Sequence, residues 1–266
     1  MGIQKLPKNL RWIGLFLAAI GPGLISALVD NDAGGITTYS IAGSQYGYGL
    51  LWSLIPITIV LIMVQEMVAR MGAVTGKGLS DLIRENFGLK ATFVVMVLVF
   101  IANLAVIISE FAGIAAASEI FGISRYLVIP LAAAAVWFTV VKCNYRQAEK
   151  IFLVLSLFYI SYLISGFLAN PDWGNVGKEL LRPTVAFSSG YFVLLIGIIG
   201  TTITPWMQFY LQSSIVEKGI SIKEYRYSRM DVVLGPAFTA IVAAFIIIAC
   251  AATLYTAGIS ISSARD

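Results

Sequence analysis

Val29-Asp30-Asn31-Asp32-Ala33-Gly34-Gly35 is the stretch from which the fold of this chain can be worked out. It closes an apolar run that begins at Trp12 and carries no charged residue before Asp30. An ionised side chain at membrane depth is costly and marks a functional site. The glycines that follow favour a break in the helix, which would free backbone carbonyls as ligands. We therefore expect a cation site in the middle of a membrane span.

The composition is that of a membrane protein. The chain has 266 residues, of which 59% are hydrophobic and 12% are charged, and its mean hydropathy is +0.87. Soluble domains carry about 25% charged residues, so the apolar surface here requires lipid as its solvent. The chain contains no histidine, the usual ligand of zinc, copper and iron. We expect neither a cofactor nor an enzyme, and we interpret Cys143 and Cys250 as reduced, buried fillers.

Seven apolar stretches approach the ~20 residues that a bilayer requires. They are 12–46 with an interruption at 30–35, 50–70, 91–121, 126–141, 151–168, 188–216 with an interruption near Pro205, and 232–261. The polar segment 169–187 is typical of a surface connection. We therefore predict an all-α membrane protein that forms a single transmembrane domain over 1–266.

The distribution of basic residues predicts the orientation. With a cytoplasmic N-terminus, 14 of the 18 Lys and Arg residues fall on the inside, and four fall outside: Arg125, Lys178, Arg182 and Arg265. Cytoplasmic loops carry such an excess. The basic residues lie between the apolar runs, so they do not indicate nucleic acid as a partner. We expect a multi-pass protein of the cell membrane.

Spans one and six are the two with a polar break in mid-membrane. This placement, five spans apart, is typical of an inverted-repeat transporter whose site lies at the midplane. Pro205 removes a backbone donor, and its ring clashes with the carbonyl of Thr201. The freed carbonyls of Thr201 and Thr202, together with the Thr204 hydroxyl, could face an ion. The alternative is a simple proline kink whose threonines bond to their own helix.

Several motifs together resemble those of the Nramp family of divalent-metal transporters. They are Gly21-Pro22-Gly23, Leu50-Leu51-Trp52, Gln65 with the run from Ala69 to Gly76, Glu110-Phe111-Ala112-Gly113, and the run from Tyr210 to Ser214. The resemblance implies the LeuT-like fold with discontinuous helices one and six. It also implies a first five-helix repeat over 12–168 and an inverted second repeat that starts at 188–266. That fold needs at least ten spans, so we expect a partial chain.

The chain departs from the family pattern where the metal chemistry lies. The family's Asp-Pro-Gly-Asn falls on Asp32-Ala33-Gly34-Gly35, and its Met-Pro-His falls on Thr204-Pro205-Trp206. A second family histidine falls on Gln212, and the family's proton-path aspartate falls on Ile107. Oxygen ligands suit Mg²⁺, Ca²⁺ or Mn²⁺ better than softer metals, and Gly35 leaves room for the waters that Mg²⁺ keeps. The pattern resembles the Nramp-related magnesium transporters, which implies uptake of partly hydrated Mg²⁺, and of Mn²⁺ as well, without proton coupling.

The candidate metal ligands are Asp32, Asp30, Asn31, Gly35, Thr201, Thr204 and Glu110. Asp32 is the first choice, as a direct or water-mediated ligand, and it could also cap the outer half-helix. Asp30 points elsewhere in helical geometry and joins the site only if the segment unwinds. Glu110 either attracts a hydrated cation or is a neutral carboxyl bonded to a neighbour. Glu66 and Arg70 are spaced as a structural ion pair.

An amino-acid carrier of the same fold is disfavoured, because its substrate carboxylate would prefer half-helix N-termini without an acid such as Asp32 beside them. Two other functions remain open on the sequence. One is a proton-coupled Mn²⁺ or Fe²⁺ importer of the ordinary Nramp kind, against which the missing histidine and methionine count. The other is a membrane protein that senses or scaffolds without transport. In each case the expected partners are a divalent metal ion and the lipid bilayer, and we expect a monomer.

Overall fold

The computed structural model describes residues 31–142, 154–220, 222 and 225–263, and every regular element among them is a helix. The helices are α1 (Ala33–Tyr46), α2 (Leu51–Thr75), α3 (Leu79–Ile120), α4 (Arg125–Lys142), α5 (Ile160–Leu168), α6 (Trp173–Leu181), α7 (Ser189–Thr202), α8 (Pro205–Glu217) and α9 (Tyr225–Cys250). A 3₁₀ turn at Ser156–Tyr159 precedes α5, and a π-helical turn at Ala251–Tyr255 extends α9. Several predicted features lie outside the described residues, namely Asp30, Cys143, the motif Gly21-Pro22-Gly23, and the parts of spans one and five over 12–30 and 151–153.

Five of these helical stretches are long and apolar enough to cross a membrane. They are Leu51–Thr75, Leu79–Ile120, Arg125–Lys142, Ser189–Glu217 and Arg229–Tyr255. Their surfaces carry large apolar side chains, such as Phe93 at 68% and Phe100 at 63% exposed. Such surfaces are stable where lipid is the solvent, because a helix satisfies its own backbone groups there. The prediction of an all-α membrane protein is confirmed.

The third span starts after a glycine that interrupts α3. Gly88 has φ 80° and ψ 175°, a conformation that residues with a side chain rarely adopt. The part of α3 before Gly88 is polar, and Glu85 in it pairs with Lys77 at 2.6 Å. The apolar part after Gly88 matches the predicted span 91–121.

The break in the sixth span lies where proline predicts it. The helix α7 ends at Thr202 and α8 begins at Pro205, with Thr204 in an extended conformation between them. The seventh span ends at Tyr255, six residues before the predicted end at Ile261. Gly258 explains this, because its φ of 70° permits the left-handed turn that closes a helix.

The segment 169–187 contains a helix that the sequence analysis missed. Asp172 caps α6, since its Oδ1 accepts from the amides of Gly174 at 2.9 Å and Asn175 at 3.2 Å. An aspartate directly before a short run of helix-compatible residues is a helix start signal. The expected surface connection is therefore partly helical. The fifth span is shorter than expected among the described residues, with an apolar helical stretch over Leu157–Leu168.

The chain divides into two compact units. Unit 1 holds residues 58–102 and 203–239 among those described. Its core joins α2, α8 and α9 through buried apolar side chains, which are Val68, Ala69, Leu211, Ile215 and Val232. At its edge the Tyr225 hydroxyl donates to Glu66 Oε1 at 2.8 Å. The predicted ion pair of Glu66 with Arg70 is confirmed at 3.6 Å.

Unit 2 holds residues 31–57, 103–142, 154–202 and 240–263 among those described. In this unit α1 packs against α7 and against the π-helical turn. A Cβ added at Gly43 would lie 2.5 Å from the carbonyl oxygen of Ile247, so α1 and α9 approach closely at that glycine. The rings of Phe167, Trp173 and Phe245 pack together and join α5, α6 and α9.

Candidate functional site

Asp32 sets the start of α1. It is the N-cap residue, and its Oδ1 accepts from the amide of Gly35 at 2.7 Å. The first turn is completed by the Ile36 amide, which donates to the Asp32 carbonyl at 2.9 Å. A carboxylate is favoured here because unpaired amides and the positive end of the helix dipole meet at the N-terminus. The capping interpretation of Asp32 is therefore observed, and Gly35 contributes through its amide.

Glu110 lies against the same turn, although it is 77 residues away along the chain. The amide of Ala33 donates to its Oε1 at 3.2 Å. The carboxylates of Asp32 and Glu110 are close enough to interact electrostatically. Two carboxylates that repel each other favour a cation or a proton between them.

Small residues allow α1 to approach α3 this closely. A Cβ added at Gly113 would lie 2.5 Å from the Cβ of Ala33. A Cβ added at Gly34 would lie 3.3 Å from Asp32 Oδ1 and 3.3 Å from Ser109 Oγ. The absence of a side chain at Gly34 therefore leaves a niche between two oxygen atoms. We call Asp32, Gly34, Ser109 and Glu110 the Asp32 site.

Ser109 is a member of this site that the sequence analysis missed. Its signal was its position directly before Glu110, in the apolar part of α3, which carries few polar residues. A hydroxyl is a hydrogen-bond donor and acceptor, so Ser109 can bind water or a cation beside the two carboxylates.

A cavity of about 710 Å³ opens beside the site in unit 2. Its lining includes Gly34 and Ser109 of the Asp32 site, and also Glu119 and Arg125. Those two side chains are 3.6 Å apart. Among the described residues no group of three or more His, Cys, Asp or Glu side chains could hold a metal ion. Among the described residues the Asp32 site brings together two carboxylates, those of Asp32 and Glu110.

The end of α7 is tied to α1 within the same unit. The hydroxyls of Tyr39 and Thr202 share a hydrogen bond of 2.9 Å, and Thr202 also donates to the Ile198 carbonyl at 2.8 Å. The predicted ligand Thr201 is half-buried in the last turn of α7. Asn31 is buried, and its backbone carbonyl accepts from the Tyr159 hydroxyl at 3.0 Å.

Thr204 belongs to unit 1, where it directly precedes α8. It is the N-cap residue of α8, but its side chain makes no capping hydrogen bond. Its hydroxyl is buried and has no partner among the residues the structure describes. Trp206 stands at the position of the family's first histidine. Its ring packs against the ring of Tyr210, with 6.3 Å between the two ring centroids. Whether Thr204 and Thr201 bind a cation stays a prediction.

Comparison with known proteins identifies the family. Residues 23–266 match the family described as Natural resistance-associated macrophage protein-like. A divalent metal cation transporter MntH of Levilactobacillus brevis is 33% identical over 219 residues, which cover 80% of this chain and 48% of that protein. The MntH protein of Chromohalobacter salexigens is 30% identical over 266 residues, which cover 95% of this chain and 60% of that protein.

The fold has a counterpart among solved structures. The crystal structure of the Eremococcus coleocola manganese transporter, in complex with an aromatic bis-isothiourea substituted compound, matches with a TM-score of 0.75 at 23% identity. The match covers 97% of this chain and 55% of that chain. This chain therefore spans about half of the length of the proteins it matches. On the match of residues 23–266, the chain belongs to the Nramp family.

Proposed function

We propose that this chain transports divalent metal cations across the cell membrane by alternating access, with Mn²⁺ as the first candidate cargo. The observation that carries the proposal is the convergence of Asp32 and Glu110 on the first turn of α1, within an apolar helical protein. Ionisable residues inside a membrane are expensive and mark ion pathways. The relatives named above are divalent metal or manganese transporters by name, which supports the same cargo class.

The proposed architecture is a LeuT-like inverted repeat with discontinuous helices. Two observations support it: α1 begins at an aspartate cap, and α7 and α8 are separated at Thr204. Helix ends at membrane depth supply backbone amides and carbonyls as ligands. We propose a monomeric multi-pass protein with a cytoplasmic N-terminus. In that orientation the membrane potential favours inward movement of a double positive charge.

Mg²⁺ is the second candidate cargo, and the donor set of the chain favours it. The Asp32 site offers oxygen atoms from two carboxylates and from Ser109, and the chain contains no histidine. Mg²⁺ binds through one or two carboxylates and keeps several waters, for which the cavity beside the site leaves room. None of the relatives named above carries magnesium in its name, so Mn²⁺ stands first.

The two cargo proposals differ in proton coupling. An ordinary Nramp importer would move protons with Mn²⁺, whereas the magnesium transporter would not. Ile107, at the position of the family's proton-path aspartate, is apolar and 51% exposed. Glu110 is the acidic side chain of α3 that accepts a hydrogen bond from the first turn of α1.

Uptake by proteoliposomes tests the proposal. Purified protein is reconstituted with a pH indicator and a divalent-metal indicator inside, and Mn²⁺ or Mg²⁺ is added outside at a negative interior potential. We expect saturable uptake of at least one of the two ions. Acidification of the interior during Mn²⁺ uptake would favour the proton-coupled importer, and Mg²⁺ uptake without acidification would favour the magnesium transporter. Cation binding without any uptake of either ion would instead indicate a sensor or scaffold.

A further inference from the structure

Three of the four glutamines in the described part of the chain are buried together in unit 1. Gln65 on α2 is 0% exposed, and on α8 Gln208 is 8% and Gln212 0% exposed. The fourth, Gln45, is exposed in unit 2 and donates to the carbonyl of Ile261 at 3.0 Å. Buried amides are uncommon and are normally hydrogen-bonded at both ends. The cluster therefore requires an explanation.

The orientation of these amides follows from their partners. Gln65 Nε2 donates to the sulfur of Met207 at 2.7 Å, and Gln212 Nε2 donates to the carbonyl of Lys77 at 2.8 Å. Gln208 Nε2 lies 3.9 Å from the same sulfur. A thioether and a carbonyl can only accept, so the nitrogens must face them. The three amide oxygens are left without a partner among the described residues.

These oxygens extend a row that begins at the helix break. Gln208 and Gln212 are four residues apart and lie on one face of α8, and the N-cap residue Thr204 precedes them at the same spacing. The Thr204 hydroxyl oxygen is also buried and has no partner in the part of the chain that the structure describes. Eight residue steps separate Thr204 from Gln212, which is about 12 Å at the rise of an α-helix. We call Thr204, Gln208, Gln212 and the neighbouring Gln65 the glutamine face.

The glutamine face suits a hydrated cation. Buried acceptors need donors, and water supplies them. The water shell of a cation directs its hydrogens outward, so each shell water can donate to an amide oxygen. The three amide oxygens can only accept hydrogen bonds, so they offer an anion no donor. Because amides are neutral, they hold such an ion weakly enough to release it. The sulfur of Met207 is buried and accepts from Gln65.

We propose that the glutamine face is an exit pathway, along which a hydrated divalent cation moves toward the cytoplasm. The water shell of the cation bonds to the amide oxygens as it moves. The proposal rests on the proposed function and on the orientation that places Lys77 at the cytoplasmic end. It assigns to Gln208 and Gln212 a role in release of the ion and not in its capture.

Thiol labelling tests whether the face contains water. In a Cys143→Ser, Cys250→Ser background, Gln208→Cys and Gln212→Cys are reacted with a small cationic thiol reagent in proteoliposomes. We expect both to react at least about tenfold faster than Leu211→Cys, which lies in the apolar core of the same helix. Mn²⁺ should slow the reaction of both. Rates equal to that of Leu211→Cys would overturn the proposal.

Transport kinetics test whether the glutamine face is an exit pathway. Gln208→Leu and Gln212→Leu keep a similar side-chain volume and replace the amide by an apolar group, and Gln212→Leu also loses the bond to the Lys77 carbonyl. We expect a maximal uptake rate about tenfold lower with an unchanged KM in both. Gln45→Leu is the matched control and should behave as the unmodified protein. An unchanged maximal rate in variants with unchanged melting temperature would overturn the proposal. If the unmodified protein carries neither Mn²⁺ nor Mg²⁺, the proposed function fails, and the labelling rates still decide whether the face is hydrated.

Discussion

The Asp32 site and the glutamine face both place oxygen atoms inside an apolar protein, but in opposite ways. At the Asp32 site the oxygens are charged and held by backbone amides, at 2.7 Å for Asp32 and 3.2 Å for Glu110. On the glutamine face the oxygens are neutral and have no partner among the described residues. Charged, fixed oxygens can capture an ion that must lose part of its hydration. Neutral, unpaired oxygens can pass it on, since conduction requires binding that is weak enough for release.

The largest effect is expected at Asp32. Asparagine caps a helix as well as aspartate does, so Asp32→Asn should leave α1 intact and remove only the charge. We expect cation uptake to fall by about a hundredfold, equivalent to about 2.7 kcal/mol, with an unchanged melting temperature. Uptake of radioactive Mn²⁺ into proteoliposomes measures this.

Asp172→Asn is the matched control for that variant. Asp172 caps α6 through the same kind of bond to a backbone amide, and it is exposed. Its replacement should leave uptake unchanged. Equal loss of uptake in both variants would show that the loss follows from removing a capping charge in general and is not specific to the Asp32 site.

A smaller effect is expected at Glu110. Glu110→Gln keeps an acceptor for the Ala33 amide and removes the second charge, so we expect the KM for Mn²⁺ to rise about tenfold. The control is Glu119→Gln on the same helix, which breaks the pair with Arg125 and should change the KM less than about twofold. An unchanged KM in Glu110→Gln would mean that Asp32 acts without a second carboxylate.

A still smaller effect is expected from filling the niche at Gly34. In Gly34→Ala the new Cβ would lie 3.3 Å from both Asp32 Oδ1 and Ser109 Oγ, so these atoms must shift by a few tenths of an ångström. We expect uptake about threefold lower, because oxygen ligands displaced from a productive geometry lose efficiency. Gly177→Ala meets nothing within 4 Å and should leave uptake unchanged. Competition of Mg²⁺ with Mn²⁺ would show whether the niche favours the more hydrated ion.

The smallest effect on transport is expected in the contact between Tyr225 and Glu66. Burial, with the hydrogen bond to Glu66, raises the pKa of the Tyr225 phenol above its ordinary value of 10.0. The folded protein keeps the phenol protonated up to the raised pKa. The stabilising contribution of the phenol is therefore complete at neutral pH and is lost only as the pH rises through the raised pKa. Tyr225→Phe should lower the unfolding free energy by about 1 kcal/mol, with unchanged uptake. Thermal unfolding at neutral pH measures it, and an unchanged stability would contradict the assignment.

The sequence predicted the features that depend on local chemistry. The helix start at Asp32, the break before Pro205 and the apolar spans follow from capping, proline geometry and hydropathy. The contacts of Glu110 with Ala33 and of Gly113 with α1 could not be predicted, because they depend on packing between distant segments. The four-residue spacing of Thr204, Gln208 and Gln212 is visible in the sequence. Only the structure shows that these polar side chains are buried, which distinguishes the glutamine face from an ordinary exposed helix face.

Binding of Mn²⁺ by the purified protein tests the central claim most directly. Free Mn²⁺ gives a strong electron paramagnetic resonance signal that is lost on binding, so titration gives both affinity and stoichiometry. We predict that the unmodified protein and Asp172→Asn each bind one Mn²⁺ that Mg²⁺ can displace, and that Asp32→Asn does not. Binding by Asp32→Asn with the affinity of the unmodified protein would contradict the account.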